Sequence, residues 1–126
     1  MPTHPASQHA VVLFGHGSRD PLWHQPMEAV AARMRALAPD VQVRCAYLEL
    51  TQPDLPTAAA ELAASGIDSL TVMPLFLGVG RHAREDLPKI VETLAQRYPH
   101  IRFVLKPAIG EDEQVLKLIA ELSLRP

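Results

Sequence analysis

Two histidines in this sequence stand in matched surroundings that suit metal chemistry. His16 lies in Gly15-His16-Gly17-Ser18-Arg19-Asp20-Pro21, directly after the apolar run Ala10 to Phe14. His82 follows Gly78 and Gly80, a few residues after Pro74-Leu75-Phe76-Leu77. Glycine beside a histidine lets the backbone turn sharply and leaves the imidazole uncrowded. Neutral imidazole is a good ligand for cobalt, nickel, iron or zinc. Two histidines make an incomplete, open metal site, which suits transient delivery better than a permanent structural ion. Glu49, in Tyr47-Leu48-Glu49-Leu50, offers a carboxylate that can ligate a metal or accept a proton.

Other residues near these three have types that fit a large acidic ligand. Arg19, Arg81 and Arg84, with Lys89, can pair with peripheral carboxylates. Leu48, Leu75, Phe76 and Leu77 can line a wall against a flat aromatic molecule. Ser18 and Asp20 are candidate caps for a following helix, whose N-terminus would attract a carboxylate or phosphate beside Arg19. The bland alternatives stay open on the residues alone: a strand-to-helix turn with an incidental histidine, a solvated glutamate, a mixed-charge surface and ordinary core leucines. The loop is neither a Walker A sequence nor a nucleophile elbow, and Asp20 spoils a dinucleotide fingerprint. His4, His9, His24 and His100 lack a comparable context and read as surface residues.

These groups need a scaffold, and the apolar pattern supplies one. Strands are expected at Ala10 to Phe14, Val41 to Leu50, within Ser69 to Leu77, and at Ile101 to Leu105. Helical stripes fall between them: Met27, Val30, Ala31, Met34 and Leu37, then an alanine-rich segment opened by Pro53 and Pro56 and ending near Gly66. Leu87, Ile90, Val91, Leu94 and Tyr98 make a third stripe, and Val115, Leu118, Ile119 and Leu122 a fourth. Strands alternating with helices imply an α/β fold: a small, doubly wound, parallel four-stranded sheet with helices on both faces. Ligands of such sheets bind beyond the carboxyl ends of the strands, where His16, Glu49 and His82 all fall.

Composition narrows the field. The 126 residues fit a single domain, 1–126, with residues 1–9 expected to be a flexible N-terminal segment. A net charge of −2 gives no nucleic-acid footprint. One cysteine, Cys45, excludes an internal disulfide framework and reads as a small core residue. No secretory leader and no apolar run near the ~18 residues of a membrane span is seen, so a cytoplasmic protein without membrane or nucleic-acid partners is expected.

Three segments together, GHGSRDP (Gly15 to Pro21), YLEL (Tyr47 to Leu50) and PLFLGVGRHAREDLP (Pro74 to Pro88), resemble the CbiX-type sirohydrochlorin chelatases in order and spacing. The first alone is moderately specific; with the third at this distance the pattern is highly specific. Ala83 and Leu87 depart mildly from the usual valine and isoleucine. The resemblance implies a chelatase-like fold, akin to half of a flavodoxin-like arrangement, and sirohydrochlorin as substrate. It implies His16 and His82 as metal ligands, Glu49 as a supporting carboxylate, and Ser18 with the arginines and apolar residues above around the tetrapyrrole. It points to Co²⁺ as the substrate metal, with Ni²⁺ or Fe²⁺ as alternatives and no permanent cofactor. It also implies the short form of the family, a homodimer closing over the macrocycle. A metal or tetrapyrrole carrier without turnover would use the same histidines, and an unrelated enzyme could use His16 as a general base.

Overall fold

A computed structural model describes residues 8–126. Four strands form one sheet: β1 (His9–Gly15), β2 (Gln42–Tyr47), β3 (Ser69–Pro74) and β4 (Arg102–Leu105). All pairings are parallel and the order is β2-β1-β3-β4. The helices are α1 (Gln25–Leu37), α2 (Leu55–Ala64), α3 (Arg81–Arg97) and α4 (Glu113–Leu124). Two short 3-10 turns, Pro21–His24 and Ile109–Glu111, precede α1 and α4. No helix among the described residues is long and apolar enough to cross a membrane.

Strand alternation divides the core in two. Ala10, Val12 and Phe14 of β1 point to one face, where they pack with Leu55, Ala58, Ala59 and Leu62 of α2 and Leu87, Val91 and Leu94 of α3. Val11 and Leu13 point to the other, where they meet Met27, Ala31 and Met34 of α1. The doubly wound expectation therefore holds, with helices on both faces. The helix starts follow from local chemistry: Asp54 accepts from the Thr57 amide at α2, and Asp112 from the Gln114 and Val115 amides at α4.

Three details differ from the sequence reading. Residues 1–7 lie outside the described part, but His9, expected to be flexible and at the surface, is the first residue of β1. Its Nδ1 is 2.6 Å from the Ser69 hydroxyl, and it is half-buried. The helix after the His16 loop does not start there. Asp20 caps the 3-10 turn by accepting from the Leu22 amide, and α1 begins only at Gln25 with no side-chain cap. The anion-attracting helix end expected beside Arg19 is thus displaced from the loop. Finally, the stripe on α4 is formed but not buried: Leu118, Ile119 and Leu122 are 51%, 38% and 50% exposed.

Candidate functional site

Parallel strands that end together place their following loops on one rim, and the backbone shows this. Beyond β1 and β2 the pairing continues for two more bonds: Leu48 donates to the Gly15 carbonyl and Glu49 to the His16 carbonyl, at 2.9 and 3.1 Å. On the other side of β1, the Leu75 amide donates to the Phe14 carbonyl at 2.8 Å. The segments after β1, β2 and β3 are therefore laced together through main-chain groups.

His16 and Glu49 meet as a result. His16 Nε2 lies 3.1 Å from Glu49 Oε1, and the side chains are 58% and 56% exposed, open to a ligand. With Glu49 ionised, the shared proton sits on Nε2, which leaves the Nδ1 lone pair free for a metal ion or a proton. Gly17 makes the approach feasible. Its φ is +101°, and a Cβ there would lie 1.8 Å from the Glu49 carbonyl oxygen. Leu50, at φ +65°, then turns the second loop back so that the Thr51 amide reaches the Glu49 carbonyl at 2.8 Å.

A small polar lattice holds the His16 loop from behind. Thr51 Oγ1 donates to the Ser18 carbonyl at 2.7 Å and accepts from the Ser18 amide at 3.1 Å. His24 Nε2 donates to the same carbonyl at 3.1 Å, and its ring packs edge-on against Trp23 and Tyr47. His24, expected at the surface, is thus a half-buried brace. Thr51 and His24 carried no sequence signal, because their role depends on contacts 33 and 6 residues away. The Ser18 hydroxyl accepts from the Asp20 amide at 3.1 Å, within the loop.

His82 is placed differently from His16. It is the second residue of α3, exposed, in a first turn without an acidic residue or side-chain cap. Among the described residues, no three His, Cys, Asp or Glu side chains converge as a metal group, so His16 and Glu49 form a pair that His82, in the first turn of α3, does not complete. Arg81 and Arg84 share that first turn with His82; Arg81 is held by Glu85 at 3.2 Å, an exposed pair of small energetic weight. Arg19 is exposed in the first loop.

The expected apolar wall is divided by the sheet. Leu48 and Phe76 lean on the core beneath α2 and α3, with Phe76 edge-on to Phe14 at 6.0 Å between centroids. Leu75 packs toward the α1 side. Leu77 alone of the four is exposed, at 67%, and Leu50, Leu22 and Trp23 add further exposed apolar surface along the first two loops. Cys45 is half-buried on β2, where burial and the nearby Glu28 carboxylate push its thiol up to about 11, well above reactive range.

Comparison with known proteins agrees with the fold. The chain matches the CbiX family over residues 10–125. It is 38% identical over 82 residues to the sirohydrochlorin cobaltochelatase of Methanopyrus kandleri, covering 65% of this chain and 57% of that protein. It is 31% identical over 110 residues to the sirohydrochlorin ferrochelatase of Bacillus subtilis, covering 87% of this chain and 42% of that protein. The chain thus spans about half the length of these two relatives. A solved CbiX protein from Marinobacter aquaeolei VT8, described as a putative cobalamin biosynthesis protein, superposes with a TM-score of 0.78 at 30% identity, covering 91% of this chain and 93% of that one. A parallel four-stranded scaffold, an open histidine–carboxylate pair on its carboxyl rim, and a match along nearly the whole sequence lead to one conclusion: this chain belongs to the CbiX family.

Proposed function

We propose that this chain is a cytoplasmic chelatase that inserts a divalent metal ion, Co²⁺ first, into sirohydrochlorin, and that it works as a homodimer. The observation that carries the reading is the open His16–Glu49 contact of 3.1 Å at the carboxyl rim of the sheet. The names of the relatives support the substrate, and the cobaltochelatase from Methanopyrus kandleri supports the metal.

Insertion exchanges the water around the metal for four ring nitrogens and releases two pyrrole protons. Glu49 keeps the His16 imidazole in one tautomer and orientation, so that Nδ1 meets the incoming ion or a leaving pyrrole proton. His82, exposed in the first turn of α3, supplies a second imidazole. Imidazole donors favour Co²⁺, Ni²⁺ and Fe²⁺ over Mg²⁺. Arg19, Arg81 and Arg84 meet the acidic side chains of the ring, aided by the uncapped start of α3. Leu50 and Leu77 give its flat face an apolar contact. One layer of loops covers one side of a macrocycle, and a second copy supplies the other wall.

Iron is the second reading, favoured by the ferrochelatase from Bacillus subtilis. An anaerobic competition with sirohydrochlorin and equal Co²⁺, Ni²⁺ and Fe²⁺ separates them by product spectrum. Cobalt product in excess is expected. Iron or nickel product in excess reassigns the metal, and insertion no faster than the spontaneous reaction would return the chain to a carrier role.

A further inference from the structure

His16 and Glu49 stand on different loops, and no packing holds their side chains, which are 58% and 56% exposed. An exposed ion pair has too little energy of its own to tie two loops together. Their contact therefore depends on whatever fixes one backbone against the other. Two ties are main-chain bonds, from the Leu48 amide to Gly15 and from the Glu49 amide to His16, which prolong the parallel pairing of β1 with β2. That ladder stops at Leu50, whose φ of +65° turns the second loop out of line. Thr51 then supplies the next rung with its side chain. Its Oγ1 donates to the Ser18 carbonyl at 2.7 Å and accepts from the Ser18 amide at 3.1 Å, so one hydroxyl occupies both main-chain polar groups of that residue. The remaining bonds around Ser18 come from His24 and Asp20, six and two residues away. They brace the first loop from its own side and do not set its distance from Glu49.

We propose that Thr51 is a positioning residue for metal insertion: its hydroxyl fastens the Glu49 loop to the His16 loop, so that Glu49 meets His16 Nε2 and Nδ1 is left free. Glu49 lies between two anchors, its own amide on His16 and the Thr51 hydroxyl two residues on. Between them Leu50 holds a left-handed φ that a bulky side chain disfavours and that persists only where its surroundings impose it. Without the Thr51 hydroxyl the outer anchor is gone. Leu50 then relaxes toward negative φ, the Glu49 carboxylate swings away, and Nε2 loses its acceptor. The neutral imidazole divides between its two tautomers, one of which puts a hydrogen on Nδ1 where the lone pair is needed. Thr51 acts through His16 and Glu49 and needs no contact with metal or ring. The hydroxyl is the agent, so serine should serve in its place, whereas valine, close to threonine in shape, should not. The kinetic consequence rests on the chelatase reading above; the effect on the imidazole does not.

Thr51→Val and Thr51→Ser test it with two readouts. The first is ¹⁵N NMR of the imidazoles in the metal-free protein, at a pH where they are neutral, with His16 assigned from His16→Ala. Wild type and Thr51→Ser are expected to hold the His16 hydrogen on Nε2, and Thr51→Val to show a mixture of tautomers. The second is insertion into sirohydrochlorin, where Thr51→Val is expected to lower kcat by about 10- to 100-fold with KM for the ring unchanged, and Thr51→Ser to stay near wild type. Circular dichroism checks the fold; should valine unfold the chain, Thr51→Ala, which sets no added methyl against Ser18, carries the same readouts. A wild-type tautomer in the hydroxyl-free variant overturns the inference. So does an equal loss of kcat in Thr51→Ser and Thr51→Val, or a rise in KM with kcat unchanged. A shifted tautomer in a chain whose wild type inserts no faster than the spontaneous reaction upholds the tie between the loops and overturns the chelatase reading instead.

Discussion

Replacing Gly17 by alanine should strike stability and the His16–Glu49 contact together. The new Cβ falls 1.8 Å from the Glu49 carbonyl oxygen, where real Cβ contacts stay beyond 3.0 Å, so the second loop must retreat by more than an ångström. That retreat breaks the bond from the Glu49 amide to the His16 carbonyl, worth about 0.5–1.5 kcal/mol. Holding alanine at a positive φ costs about 1–2 kcal/mol more. The sum is about 1.5–3.5 kcal/mol, or a fall in Tm of roughly 6–14 °C for a domain of this size. Gly66 is the control for backbone cost alone: its φ is +87°, but no atom lies within 4 Å of a Cβ there. Gly66→Ala should cost only about 1–2 kcal/mol. Gly78→Ala, with open space and an ordinary φ, should stay within about 0.5 kcal/mol. Thermal unfolding of the three variants orders them, and metal insertion measured below their transitions should fall only in Gly17→Ala, because Glu49 leaves His16. If Gly17→Ala is no less stable than Gly66→Ala, the steric argument fails; if its insertion rate is also normal, the His16–Glu49 geometry is not needed.

His16→Ala and His82→Ala should each lower the insertion rate by about 10²–10⁴-fold while leaving Tm unchanged, since both side chains are exposed. Stopped-flow insertion corrected for the spontaneous reaction reads this, and near-normal turnover in both removes them from the mechanism. Neutralising Arg19, Arg81 and Arg84 together should raise KM for the tetrapyrrole more than it lowers kcat; unchanged KM returns them to the solvated surface. Asp54→Ala should destabilise by about 0.5–2 kcal/mol at neutral pH. The Thr57 side chain and amide hold the Asp54 carboxyl below its ordinary range, so its contribution is present above the unfolded value of about 3.9 and lost as pH falls through the lower folded value. The Tm gap between wild type and variant should therefore close toward acid pH, and a gap independent of pH would exclude the carboxylate as its source.

The sequence by itself determined the elements and the neighbourhood of the site. Continuous apolar runs mark strands buried on both faces, and the 3.6-residue stripes mark the helices between them, because each pattern records local burial. Parallel topology then sends the ends of β1, β2 and β3 to one rim, so His16, Glu49 and His82 could be named before any coordinate. Tertiary structure decided what pairing register and packing control. The contact between His16 and Glu49 spans 33 residues and exists because main-chain pairing runs past the ends of β1 and β2. Leu48, Leu75, Phe76 and Leu77 read alike as a wall, yet strand alternation sends them to two cores and to solvent. His24 and Thr51 brace the first loop through bonds that no local pattern records. The stripe on α4 announces an apolar face, but only the fold reveals that one copy of the chain does not cover it. Periodicity states that a surface is to be buried; the arrangement of the other elements decides against what.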